Sequence, residues 1–142
     1  MRAIFAAGLA AAALLAALPA SAAVVHFTAK LNGAAETPPN DSKGTGAARV
    51  SLDTATKKLT WTVTYSGLSG PPTMAHFHGP APVGKAAPVV VPLTPPLASP
   101  IKGSAMLSDS QIGDLKAGLW YINIHTAKIP DGEIRGQVTA GR

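Results

Sequence analysis

Apolar and polar residues alternate along much of the chain beyond residue 23, and short runs of glycine, proline, asparagine and aspartate interrupt the alternation. The clearest run is residues 58–65, KLTWTVTY, in which every second residue is apolar and the others are lysine or threonine. A half-buried β-strand requires this period of two, because successive side chains point to opposite faces. The pattern predicts a strand here with Trp61 in the core, and further strands over residues 24–31, 45–52, 73–78, 89–91, 101–107, 119–126 and 133–139.

The period of the pattern changes once, after residue 107. Ser108 is followed three residues later by Gln111, which is the pattern of a helix capping box. Ile112 and Leu115 follow at helical spacing, so the sequence predicts one short helix over residues 109–117.

The spacing of these elements predicts the fold class. Nine of the thirteen prolines lie within residues 71–100, and proline cannot donate to a strand ladder, so we expect edge strands and loops in this part of the chain. Seven or eight short strands at this spacing predict an all-β fold, an antiparallel Greek-key sandwich or barrel with one short helix.

The first 23 residues differ in composition from the rest. Arg2 precedes an apolar run without charge over residues 3–18, and Pro19 and small residues follow. This order predicts a Sec-type signal peptide over residues 1–23, with the mature chain beginning at Ala23 or Val24. A membrane anchor would need about 20 apolar residues. We therefore expect a secreted or periplasmic protein with no membrane span after cleavage, and a single domain over residues 24–142.

Charge and cysteine content narrow the possible functions. The formal net charge is +5, but the basic residues are scattered and form no stripe with aromatic residues, so nucleic-acid binding is not expected. The chain has no cysteine, which excludes thiolate metal sites and cysteine nucleophiles. It also has no nucleophile-elbow serine motif. We expect a monomer without enzymatic activity, in which histidine, methionine, carboxylate, tyrosine or backbone groups would hold any metal.

Three of the four histidines lie in two segments, residues 74–81 (MAHFHGPA) and 120–126 (WYINIHT). Residues two apart on a strand share a face, so His76 and His78 point the same way with Cα atoms roughly 6–7 Å apart. If the two strands are neighbours, His125 joins them, and three imidazoles suit copper or zinc. We predict a metal site of these three histidines, with copper favoured over zinc. The competing interpretation is that each histidine makes only a structural hydrogen bond.

Three further residues are candidates for this site. Met74 shares the strand face of His76, and its thioether would favour Cu(I). His26 in the first strand would either be a fourth ligand or, after cleavage behind Ala23, chelate Cu(II) or Ni(II) together with the new N-terminus. Glu133 would accept the second N–H of His125, as ligating imidazoles usually require, or form an ion pair instead.

Six short motifs cover nearly all of the chain beyond residue 23, in the order LNGAAETPP (31–39), YSGL (65–68), AHFHGPA (75–81), PVVV (88–91), IHT (124–126) and GEIRGQ (132–137). They resemble the motifs of CHRD domains, the chordin-type domain that also occurs in many exported bacterial proteins. The resemblance implies a β-rich extracytoplasmic module and implies no particular chemistry.

A histidine pair on a strand with a later histidine, in a cysteine-free β fold, is also similar to the copper half of Cu/Zn superoxide dismutases. With four histidines in all, the chain lacks the bridging histidine and the zinc ligands, so a full dismutase site cannot form. We expect a module for metal buffering or delivery. The alternatives are an adhesion module that binds an extracytoplasmic protein or a glycan, and a copper-dependent redox enzyme.

Overall fold

The computed structural model describes residues 12–18 and 23–141. The predicted signal peptide, residues 1–23, lies largely outside the described residues, and both its cleavage site and the domain boundary stay predictions. Residues 12–18 are exposed and have no regular secondary structure. Within the described ranges, no helix combines the length and the apolar character that crossing a membrane requires.

Eight strands, one α-helix and one short 3-10 helix (Gly33–Ala35) make up the described domain, and each predicted element is confirmed with its ends within one residue of the prediction. The elements are β1 (Val24–Asn32), β2 (Thr45–Asp53), β3 (Lys58–Ser66), β4 (Pro72–His78), β5 (Val89–Pro92), β6 (Ile101–Met106), α1 (Asp109–Lys116), β7 (Trp120–Thr126) and β8 (Ile134–Ala140).

All eight strands belong to one antiparallel sheet in the order β5-β4-β7-β8-β1-β2-β3-β6. The sheet curls into a nearly closed barrel, as the predicted fold class allows. Trp61 on β3 and Phe77 on β4 lie near opposite ends of the strand order, yet their ring centroids are 5.3 Å apart. The inward faces of all strands therefore share one core, and Trp61 lies in it as predicted.

The two edges of the sheet and the helix follow from local sequence. The proline-rich segment supplies β5, which is an edge strand, and β6 is the other edge. Ser108 accepts a hydrogen bond from the backbone of Gln111, whose side chain accepts one from Ser108 in return. Leu115 anchors α1 to the core, where it is fully buried.

Strand β7 differs from the other strands because every one of its residues is buried. Its inward side chains, such as Ile122 and Ile124, belong to the core. Its outward face carries Tyr121, Asn123 and His125, which are buried although they point away from the core. Loops therefore cover this part of the outer surface, and the polar residues beneath them form a second, polar interior.

Candidate metal centre

The three histidines of the two predicted segments come together on the outer face of β4 and β7. These strands are neighbours, with His76 paired to Asn123 and Met74 paired to His125 in the register. Nδ1 of His76 lies 3.2 Å from Nε2 of His125. One nitrogen from each of His76, His78 and His125 can be chosen so that all three lie within 4.8 Å of one another. The strand adjacency on which the sequence prediction depended is therefore confirmed.

Backbone carbonyls set the orientation of two of the rings. Nδ1 of His78 lies 2.9 Å from the carbonyl oxygen of Ala87, and Nδ1 of His125 lies 2.7 Å from that of Pro130. A carbonyl oxygen only accepts hydrogen bonds, so Nδ1 of each ring must donate its proton there. In the neutral ring, Nε2 then carries a bare lone pair, which is the form that binds a metal.

The expectation that Glu133 orients His125 is wrong. Both carboxylate oxygens of Glu133 accept from the backbone N–H of Ser69, at 3.0 and 3.1 Å. The loop that follows β7 turns back on the strand, and this turn places the Pro130 carbonyl against His125. Glu133 also forms no ion pair within the part of the chain that the structure describes, so the alternative interpretation is wrong as well.

Asn123 lies between the histidines. Its Oδ1 atom is 3.0 Å from Nε2 of His78 and 3.0 Å from Nε2 of His125. Because the Nδ1 atoms of both rings donate to carbonyls, the neutral rings turn their Nε2 lone pairs toward those of Oδ1. A neutral His76 could donate from Nδ1 to Nε2 of His125, 3.2 Å away. The contact between Oδ1 and Nε2 of His78 stays without a proton in the neutral rings, and it is repulsive unless a proton or a metal ion occupies it.

Behind Asn123 lies a buried carboxylate, that of Glu36, which is 4% exposed. A Cβ atom on Gly132 would lie 2.6 Å from Oε1 of Glu36 and 2.9 Å from Nδ2 of Asn123, so both groups border the same point. Oε1 itself is buried without a hydrogen bond of standard geometry. Burial raises the pKa of Glu36 to about 7, although the Thr37 backbone, the Arg135 charge and the Asn123 amide each act to lower it.

Two of the ligands, His76 and His78, are biased toward the neutral state that metal binding needs. Burial lowers the pKa of His76, and the neighbouring charges of His125 and His78 lower it further. Burial also lowers the pKa of His78, against the opposing hydrogen bonds to Ala87 and Asn123. These rings therefore offer lone pairs rather than protons at neutral pH.

A stack of side chains fixes the ring of His78. Tyr121 lies parallel to it, with ring centroids 4.8 Å apart and planes at 1°. The guanidinium of Arg135, itself buried, lies 3.5 Å from the centroid of the Tyr121 ring. The Tyr121 hydroxyl donates to the carbonyl of Ala87, the same carbonyl that holds His78. The position of this ligand is therefore set before any ion binds.

The other two predicted ligands are placed differently. Met74 lies opposite His125 in the strand register, but it is 48% exposed. His26 lies on β1, where Nδ1 is 3.1 Å from Oγ of Ser51, and β8 separates this strand from β7. The structure does not bring His26 to the other histidines. Chelation through a free N-terminus at Val24 is not favoured either, since the first strand is paired with β2 from Val24 onward.

Sequence reasoning missed two residues of this site. Asn123 lies two residues before His125 and therefore shares its strand face, and this spacing was a usable signal. Glu36 lies between the first two strands, and no local pattern indicates that this segment folds over β7.

Comparison with known proteins identifies one family. The family model described as CHRD domain matches residues 27–138, which include the three clustered histidines, Asn123 and Glu36. No curated protein matches the chain. No solved structure matches it.

Proposed function

We propose that this chain, which belongs to the CHRD domain family, is a binding module that holds one transition-metal ion through His76, His78 and His125. The observation that carries the proposal is the convergence of three imidazole nitrogens within 4.8 Å of one another. In His78 and His125, a backbone carbonyl accepts the proton of Nδ1, so Nε2 of the neutral ring is unprotonated and free to bind a metal.

Imidazole ligands suit copper and zinc, and copper is the favoured ion because divalent copper binds nitrogen sites more tightly than the other first-row metals. The role is metal buffering or delivery rather than catalysis. His76 and His78 are only half-buried, so an ion can enter and leave the cluster from solvent. The predicted signal peptide and the extracytoplasmic character implied by the CHRD family support a place outside the cytoplasm.

Calorimetric titration of the metal-stripped protein with Cu(II), Cu(I) and Zn(II) tests the proposal. The wild type should bind one ion with a dissociation constant below about 1 μM, or about −8 kcal/mol. The triple variant His76→Ala/His78→Ala/His125→Ala should lose this binding.

The variant His26→Ala is the matched control, because it removes the fourth histidine from a strand distant from the cluster. It should retain both stoichiometry and affinity. Absence of binding in a wild-type protein whose circular dichroism shows the folded β-structure would refute the proposal, and so would a triple variant that binds as well as the wild type.

A second function is favoured by the outer face of β1, β2, β3 and β6. Thr28, Arg49, Thr62 and Lys102 form one row across these four strands. Such a row of hydroxyl and cationic groups is complementary to an anionic polysaccharide, which would make the domain an adhesion module. Binding to a polyuronate that weakens in Arg49→Gln/Lys102→Gln and with added salt would support this function, and equal binding by both proteins would contradict it.

A further inference from the structure

The geometry points to Asn123 as a fourth donor of the metal site, one whose amide oxygen makes the site select a divalent ion, Cu(II) or Zn(II), over Cu(I). This inference rests on the proposed function and specifies the oxidation state of its ligand. It also assigns a role to Glu36, the buried carboxylate behind Asn123, as the group that orients the amide.

The Asn123 amide faces the histidines with its oxygen, Oδ1. The opposite end, Nδ2, lies on the side of Glu36, because a Cβ atom on Gly132 would lie 2.9 Å from Nδ2 and 2.6 Å from Oε1 of Glu36. Of the two ends of the amide, only Nδ2 is compatible with a neighbouring carboxylate oxygen, since the carboxylate accepts hydrogen bonds and Nδ2 donates them. Rotation of the amide by half a turn would oppose its oxygen to the carboxylate, so Oδ1 is held toward His78 and His125.

The separations of the donor atoms limit where a single ion can bind. Oδ1 is 3.0 Å from each of two histidine nitrogens, and the third nitrogen is 3.2 Å from one of them. For metal–ligand bonds of about 2.05 Å, donor atoms at these separations subtend angles of about 95–105° at the ion. These angles lie between the tetragonal and tetrahedral values, so three of the six donor separations suit one divalent ion as they stand. The histidine nitrogens lie within 4.8 Å of one another, and a pair at that limit would have to move together to below about 4.1 Å, twice the bond length.

The proposed donor set combines three imidazole nitrogens with one amide oxygen. An amide oxygen is a hard donor, and it suits a divalent ion better than Cu(I), which prefers thiolate and thioether sulfur. The one thioether near the cluster in the strand register, that of Met74, belongs to a half-exposed side chain.

The test measures Zn(II), Cu(II) and Cu(I) affinities of the full-length protein by competition with chelators of known affinity. Asn123→Leu keeps the volume of the side chain and removes the donor, and Zn(II) binding should weaken about 10–100-fold. Cu(I) binding should change by less than about threefold, because the three imidazoles remain. Glu36→Gln should weaken Zn(II) binding less than Asn123→Leu does.

Gln137→Leu is the matched control. Gln137 lies on the neighbouring strand β8, donates to the carbonyls of Ala81 and Gly118, and accepts a long hydrogen bond of 3.5 Å from Arg135. Its loss removes amide hydrogen bonds without removing a group that faces the histidines, and the Arg135 guanidinium keeps its contact with the Tyr121 ring. Its Zn(II) affinity should equal that of the wild type. Co(II) bound in place of Zn(II) provides a second readout, since its visible absorption bands should change in Asn123→Leu and not in Gln137→Leu.

The outcomes separate this inference from the proposed function. If the wild type binds Zn(II) or Cu(II) through the histidines and Asn123→Leu binds equally well with unchanged Co(II) bands, the fourth-donor role is refuted and the histidine site stands. Tighter binding of Cu(I) than of Cu(II) by the wild type would also refute the selection of a divalent ion. If the folded wild type binds none of the three ions, both claims fail.

Discussion

Replacement of Glu36 by glutamine should change how the stability of the metal-free domain depends on pH. Glu36 is 4% exposed, and its burial raises its pKa from 4.5 to about 7. The folded state therefore binds a proton more tightly at this site than the unfolded state does. Glutamine has nearly the same shape as a protonated glutamate and stays neutral at every pH.

The magnitude follows from the size of the shift. A change of one pKa unit corresponds to 1.36 kcal/mol, so a shift from 4.5 to about 7 corresponds to about 3 kcal/mol. Because the folded pKa is the higher one, this contribution to stability is fully present below about pH 4.5. It is lost as pH rises to about 7, where the buried carboxyl ionises.

Urea unfolding of both proteins between pH 4 and pH 8, with a chelator present, measures the effect. Relative to Glu36→Gln, the wild type should lose about 3 kcal/mol of unfolding free energy over this range. The lowered pKa values of His76 and His78 act in the opposite direction, but they are common to both proteins and cancel in the difference. A difference that stays constant within about 1 kcal/mol across the range would refute the reasoning.

Three other predictions concern the fold, and urea unfolding at pH 7 checks each. Phe77→Ala should lower the unfolding free energy by about 3–5 kcal/mol, because this fully buried ring packs against two tryptophans; a loss below about 1 kcal/mol would contradict its place in the core. Gly136→Ala should lower the unfolding free energy by about 1–3 kcal/mol, since the new Cβ would overlap the backbone carbonyl of Lys30. Gly113→Ala, whose Cβ would face open space in α1, should raise it by about 0.5–1 kcal/mol. Equal effects would contradict the close approach of β1 and β8. Ser108→Ala should cost about 1 kcal/mol through loss of the helix cap, and an unchanged stability would mean that the cap does not hold α1.

The sequence predicted the strands well because the relevant signal is local. Alternation over residues 58–65 needs no knowledge of the neighbouring strands, and the capping box at Ser108 is contained within four residues. The same local logic placed His76 and His78 on one face of β4. The pairing of β4 with β7 is not local. The sequence therefore predicted that these histidines meet His125 only if the two strands are neighbours, which the sheet order shows.

The residues around the cluster could not be predicted for the same reason. The Pro130 carbonyl orients His125 through the path of a loop, and backbone groups in loops leave no mark on the side-chain pattern. Glu36 lies beside Asn123 because the segment after β1 folds over β8 and β7. His26 shows the opposite error, because the sequence predicted its strand correctly but did not show that this strand lies elsewhere in the sheet.

The most direct test of the central claim is a crystal structure of the protein grown with Cu(II) or Zn(II), with diffraction recorded on both sides of the absorption edge of the metal. The account predicts one strong anomalous peak about 2.0–2.2 Å from a nitrogen atom of each of His76, His78 and His125. An ordered cluster without a peak, or a peak that lies at His26 instead, would contradict it.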